Sequence, residues 1–320
     1  MAIRKAALLY NPHSGPRHKR GLKDIEAVQR VFRGAGIETV AAATRPGSEV
    51  QQQTRQAIAD GYDTIFACGG DGTIHGVLQG MVGTHATLGV IPMGTANAMA
   101  HDLGIPFFPV GAAKAALASE PCRIAVGKLE YQDMLGNPNS RYFTVAAGVG
   151  LDAHLFYKLN MLVKGRLGML AYYAKATHVW LTHGMTFFDV ELSNDRETET
   201  RKHMVSELLA VRIRQFGGVL REVAPGASLG RNDLRLVLFQ TNNRLHYLMY
   251  ILRGLVGSSW DVPGIELAFA DHVTCAASAE GDGRIFVEAD GELVGTLPAE
   301  ISIVPDALTI LVRNKLGGRR

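Results

Sequence analysis

The segment Thr64-Ile-Phe-Ala-Cys-Gly-Gly-Asp-Gly-Thr-Ile-His-Gly-Val77 decides the fold. An apolar run of strand length breaks into Gly69-Gly70-Asp71-Gly72-Thr73 and resumes as an apolar-periodic stretch, so it reads as a buried strand, a glycine turn and a helix start. Such a turn lets backbone N–H groups approach an anion, because glycine has no Cβ to block the approach and the helix N-terminus adds a favourable dipole. A phosphate chain is the ligand this suits. Asp71 does not cradle an anion by itself, so it meets the phosphates through Mg²⁺ or handles a proton near them, which points to phosphoryl transfer. Taken alone, Gly-Asp-Gly is more often an ordinary strand-to-helix turn with Asp as N-cap. Five such residues in a row after a strand favour the phosphate reading.

Working outward, Lys5–Tyr10 reads as a first strand ending in the turn Asn11-Pro-His-Ser-Gly15, followed by a basic segment, Arg17-His-Lys-Arg20. Leu22, Ile25, Val28 and Phe32 have helical spacing, and residues 37–43 form a second strand. Thr44-Arg-Pro-Gly-Ser48 is a further turn, and residues 49–60 a helix. The strand 88–91 ends in Pro92-Met-Gly-Thr-Ala-Asn97, again a glycine turn opening into a helix over 98–103. Strands alternating with helices at this rhythm predict a parallel sheet covered on both faces. Two glycine turns in one such sheet can converge at its carboxyl edge, where ligands of these folds sit.

From Arg123 the texture changes to short strands near 124–129, 141–146, 187–192, 207–214, 234–239, 271–276, 284–288 and 301–304, separated by polar turns. This predicts a mainly antiparallel second domain with helices inserted near 152–183 and 242–257. The apolar stretch 167–188, flanked by Lys158, Lys164 and Arg166, reads either as a buried helix or as a basic-edged helix resting on a membrane surface. His178, Thr182, His183 and Gly184 argue against a span. The run Leu245–Leu252 raises the same two readings. Near the end, Asp290-Gly291 turns the chain and displays Asp290 and Glu292, which is also what a plain hairpin turn with solvated charges looks like.

A chain of 320 residues with a formal charge of +3 predicts about two domains and no nucleic-acid partner, since it has no basic-aromatic pattern. Cys68, Cys122 and Cys275 have no paired spacing, which argues against a disulfide framework or zinc site and suits a reducing cytoplasm. The apolar run at the N-terminus is too short for a signal-peptide core.

Together these landmarks resemble the diacylglycerol kinase catalytic-domain family, which includes bacterial lipid kinases and is related to sphingosine kinases. The carriers are Asn11-Pro12 with Ser14-Gly15, Thr44, Gly69–Thr73, Gly94-Thr-Ala-Asn97, Gly148-Val-Gly-Leu-Asp152, Gly217-Gly218 followed by Ala224-Pro225-x-Ala227, and Asp290-Gly-Glu292. The resemblance implies an α/β N-terminal domain with a parallel sheet over residues 1–122, completed by 305–320, that binds ATP. A β-rich lipid-acceptor domain would occupy 123–304. By the same match Asn11, Thr44, Gly69, Gly70, Asp71, Gly72, Thr73, Ile74, His75, Gly76, Gly94, Thr95 and Asn97 would bind ATP. Asp71 would lie at the phosphates and meet the Mg²⁺ bound to them. Asp290 and Glu292 would face the acceptor hydroxyl, with Glu292 taking its proton. The lipid would be presented at a membrane surface to a cytoplasmic, peripherally bound enzyme.

Three departures stand out. The family usually continues the first glycine turn with x-Asn-Glu-Val, where this chain has Ile74-His75-Gly76-Val77, and many bacterial members have Asp where this chain has Ala98. An Asp-Gly pair that supplies a structural Mg²⁺ ligand in relatives is Arg231-Asn232 here. A guanidinium at that place would repel the ion and either pair with Asp233, two residues on and otherwise the remaining candidate ligand, or point into solvent while packing holds the loop. Competing readings are an NAD-kinase-like enzyme acting on a soluble nucleotide and a catalytically weak relative that binds nucleotide or lipid. Retention of Asp71 with Asp290-Gly-Glu292 argues against the second of these.

Overall fold

The structure is a computed structural model that describes residues 3–15, 21–45, 47, 49–150, 185–194, 200–216, 223–257, 260–278, 284–313 and 316. Arg17–Arg20, Asp152, Gly217-Gly218 and the proposed surface helix with Lys158, Lys164 and Arg166 lie outside the described residues.

The N-terminal half carries four parallel strands, β1 (Lys5–Tyr10), β2 (Glu38–Ala43), β3 (Thr64–Gly69) and β4 (Thr87–Pro92), in the order β4-β3-β1-β2. All six residues of β3 are buried, as the unbroken apolar run requires of a strand covered on both faces. Alternate residues serve opposite layers. Ala7, Leu9, Ile65 and Ala67 pack with Ile74, Val77, Leu78 and Met81 of helix α3 (Asp71–Met81), close to α2 (Glu49–Ala59). Ala6, Leu8, Phe66 and Cys68 pack on the other face against Ile25, Val28 and Phe32 of α1 (Gly21–Gly34). The short α4 (Ala98–Asp102) and α5 (Pro109–Leu117) complete this half. Helices α2 and α3 approach closely through glycine: a Cβ at Gly80 would lie 2.7 Å from the Gln51 carbonyl oxygen, and one at Gly76 would lie 3.0 Å from Val50 Cγ1. That contact leaves little room for a side chain at Gly76.

The C-terminal half is antiparallel. It comprises β5 (Glu120–Gln132), β6 (Pro138–Phe143), β7 (Ala146–Gly150), β8 (Phe188–Ser193), β9 (Arg201–Val205), β10 (Glu207–Val211) and β11 (Leu234–Phe239), then β12 (Ile265–Ala270), β13 (His272–Ala277), β14 (Phe286–Ala289) and β15 (Glu292–Val312). Between β11 and β12 lies α6 (Arg244–Val256), capped by Asn243 Oδ1, which accepts from Leu245 N at 3.0 Å, and ended by Gly257 at φ 70°. Its Tyr247 and Tyr250 pack on Phe239, while Leu245, Leu248, Ile251, Leu252 and Val256 are exposed. Among the described residues no helix is long and apolar enough to cross a membrane.

One strand unites the halves. β15 starts in a hairpin with β14, runs antiparallel to β5 and β13, and ends beside β4, where Thr309 and Ile310 pair in parallel with Thr87 and Leu88. Sequence reading expects separate strands at 284–288 and 301–304 with a turn at Asp290-Gly291, whereas one strand runs from Glu292 on through Gly295, Pro298 and Pro305. The strand absorbs them through register shifts at Thr296/Ala299 and Val304/Leu308. The single strand expected over 141–146 is instead split between β6 and β7, and β9 and β12 are additional. The split has a cause at the site.

Candidate active site

Three turns meet at the carboxyl ends of β1, β3 and β4. The Asn11 N–H donates to the Cys68 carbonyl at 3.0 Å, and Met93 N to the Gly69 carbonyl at 2.8 Å. Thr44 N is tied to the Tyr10 carbonyl at 2.8 Å, which sets the end of β2 beside the same edge. The two glycine turns touch backbone to backbone: a Cβ on Gly94 would lie 2.4 Å from Gly70 Cα. Asn97, at φ 51°, closes the second turn on itself, accepting from Gly94 N at 3.0 Å and donating from Nδ2 to the Gly94 carbonyl at 2.9 Å. Gly94→Ala therefore cannot be relieved by a side-chain shift. It is expected to separate the turns and abolish detectable nucleotide binding, measured by equilibrium dialysis with ATP; wild-type affinity would contradict the contact.

Asp71 is the clamp between the turns. Its Oδ2 accepts from Asn97 N and its Oδ1 from Ala98 N, each at 2.8 Å. Burial pushes its carboxyl above the usual range and the nearby Asp290 charge adds to the rise, while the two amides pull it back. Gly72 and Thr95 are exposed at the mouth between the turns. Ile74 is in the core and Gly76 faces α2, so neither side points into this mouth.

The hairpin between β14 and β15 reaches the same place. Asp290, at φ 49°, accepts from Thr144 N at 3.1 Å, Val145 N at 2.8 Å and Ala146 N at 3.2 Å, and its Oδ2 lies 3.3 Å from His75 Nδ1. This is why β6 and β7 are separate: amides at the junction turn from the ladder to the carboxylate. Asp290 and His75 side chains are 4% and 2% exposed, whereas Glu292 is exposed. Sequence reading places Asp290 and Glu292 side by side at the acceptor, but the structure separates them, with Asp290 locked into the scaffold and Glu292 open. The Glu292 Oε1 stands 2.9 Å from where a Cβ on Gly72 would be. A carboxylate from the last strand thus overhangs the first glycine turn.

The loop before β11 is held by guanidinium groups. Arg231 Nε donates to Asp233 Oδ1 at 2.6 Å and Nη2 to Oδ2 at 2.5 Å, and Arg231 and Arg235 flank the Phe269 ring at 4.1 and 4.3 Å. Arg212, absent from any motif in the sequence, is fully buried and donates to the carbonyls of Asp233, Ala125 and Leu229. Burial pulls its pKa down to about 10. Asp233 is accordingly occupied by Arg231, and the described residues contain no cluster of three or more His, Cys, Asp or Glu fit to hold a metal. The glycine turns fit a phosphate chain; the described side chains do not build a Mg²⁺ cage. Without nucleotide, Mg²⁺ at constant ionic strength is expected to leave the melting temperature unchanged, and Arg231→Asp to create a metal-dependent rise. A substantial rise in the wild type would refute this account of the loop.

The family model "Diacylglycerol kinase catalytic domain" matches residues 5–129, and "YegS C-terminal NAD kinase beta sandwich-like domain" matches residues 144–312. The chain belongs to the diacylglycerol kinase catalytic-domain family. Relatives agree along the whole length. A diacylglycerol kinase of Bacillus subtilis (strain 168) is 29% identical over 301 residues, 93% of each chain, and one of Staphylococcus saprophyticus is 24% identical over 98% of this chain and 97% of its own. The crystal structure of a diacylglycerol kinase from Bacillus anthracis str. Sterne, 17% identical, superposes with a TM-score of 0.70 over 98% of both chains. Yeast NADH kinase complexed with NADH shares the fold at a TM-score of 0.50 and 10% identity, covering 98% of this chain and 84% of its own.

Proposed function

We propose that this chain is an ATP-dependent lipid kinase that moves the γ-phosphoryl group of ATP to the hydroxyl of diacylglycerol, a sphingoid base or another long-chain alcohol. The observation that carries this reading is the open Glu292 carboxylate overhanging Gly72, which joins a base to a phosphate-binding turn. Asn11, Thr44, the run Gly69–Thr73 and the turn Gly94–Asn97 make the nucleotide side, with backbone amides and the α3 N-terminus toward the phosphates. Mg²⁺ would arrive on the nucleotide and offset its charge. The lipid hydroxyl oxygen bonds to the γ-phosphorus, the bond to the β-phosphate oxygen breaks, ADP leaves, and Glu292 takes the hydroxyl proton.

An acceptor hydroxyl must be brought to Glu292 from a lipid phase. The exposed apolar side of α6 supports delivery at a membrane surface, with Leu245, Leu248, Ile251, Leu252 and Val256 on a helix whose inner side is packed. A peripheral cytoplasmic enzyme is the setting this implies. The test is ADP release by the purified protein with ATP and Mg²⁺, alone, with lipid alcohols in mixed micelles, or with NAD⁺. Release dependent on a lipid alcohol is expected. Release dependent on NAD⁺ instead would support the soluble-nucleotide reading, and release with no acceptor would overturn both.

A further inference from the structure

Helix α3 meets the C-terminal half along one line of side chains, at positions four apart. Gln79 pairs with the backbone of Tyr142, its Nε2 donating to the carbonyl at 2.8 Å and its Oε1 accepting from N at 3.0 Å. One turn earlier, His75 Nδ1 meets Asp290 Oδ2 at 3.3 Å. The oxygens of Asp290 already serve as acceptors for three amides, so the proton of this contact sits on Nδ1. His75 Nε2 is then buried with no partner among the described residues. Leaving a polar atom in that condition carries a desolvation penalty, whereas a leucine would fill the same space without it. A histidine kept there at a cost points to what its other nitrogen does.

That nitrogen closes a ring of contacts. Gly72 and His75 are on the same helix start, His75 holds Asp290, Glu292 is two residues beyond Asp290, and Glu292 overhangs Gly72. We propose that His75 is a positioning residue that holds the Asp290–Glu292 turn on the nucleotide helix, setting where the Glu292 carboxylate stands above the first glycine turn. The functional part of this rests on the reading of Glu292 as the proton acceptor. Asparagine, usual at this place in the family, puts its side-chain nitrogen where Nδ1 lies, so histidine keeps the donor while filling more of the seam.

The test compares His75→Leu with His75→Asn in the full chain. His75→Leu is expected to keep the fold and move KM for ATP less than about threefold while lowering kcat about ten- to a hundredfold, and His75→Asn to recover most of that loss. Amide hydrogen exchange over residues 144–146 gives a readout that needs no acceptor. It should quicken in His75→Leu and return toward wild type in His75→Asn, because Asp290 loosens in the first and is held in the second. If the wild type phosphorylates no alcohol yet exchange follows this pattern, the tether stands and the kinase reading falls. Wild-type exchange in His75→Leu would overturn the tether whatever the activity, as would a loss of kcat that Leu and Asn share equally.

Discussion

Glu292→Gln is expected to lower single-turnover phosphoryl transfer about 10²- to 10⁴-fold, the usual worth of a general base, while ATP affinity changes less than about threefold. The substitution keeps the side chain's length and the hydrogen-bonding reach of its tip and removes the capacity to accept a proton. Glu292 lies at the first residue of β15, exposed and clear of the core, so the fold has no stake in its charge. A neutral tip over Gly72 also lifts a negative charge from beside the phosphates, so ATP affinity should hold or rise slightly. Transfer within about tenfold of wild type would place the base elsewhere.

Asp71→Asn is expected to cut transfer by a comparable factor and to destabilise the chain by about 1–3 kcal/mol, the penalty for a buried polar group left unsatisfied. Both carboxylate oxygens accept backbone N–H groups of the second turn, so an amide must aim its NH₂ at one of those donors. Sequence reading expects this change to spare the fold, because it casts Asp71 as a phosphate or metal partner. The structure gives it mechanical work as well. Its raised pKa means that the charged form opposes folding: this group's contribution is most favourable below the unfolded carboxylate value and is lost as pH rises through the raised one. Ionising the clamp thus carries a stability cost. Thermal melting and rapid-quench transfer on one preparation check both halves. A variant with unchanged melting temperature and unchanged transfer would remove Asp71 from the account.

What could be read from the sequence was local. The strand, glycine turn and helix around Gly69–Thr73 follow from apolar periodicity and from the backbone freedom of glycine, and the second turn at Gly94–Asn97 repeats the pattern. What could not be read depends on partners far along the chain. The gap between β6 and β7 exists because Thr144, Val145 and Ala146 turn their amides to Asp290, and Asp290 in turn meets His75, which is 215 positions away. Gln79 on Tyr142 and Arg212 on three carbonyls carry no motif, since their partners are backbone atoms that any residue supplies. The pairing of Arg231 with Asp233 was legible as one of two arrangements, because two residues suffice to bring the groups together but do not choose between the carboxylate and solvent.

The most direct test offers both acceptor classes to the protein at once: γ-labelled ATP and Mg²⁺ with diacylglycerol in mixed micelles and NAD⁺ in the same vessel, followed by phase separation. Label in the organic phase as a phosphorylated lipid, lost in Glu292→Gln, is the result predicted here. Label recovered in the aqueous phase on the dinucleotide, with none in lipid, would contradict it.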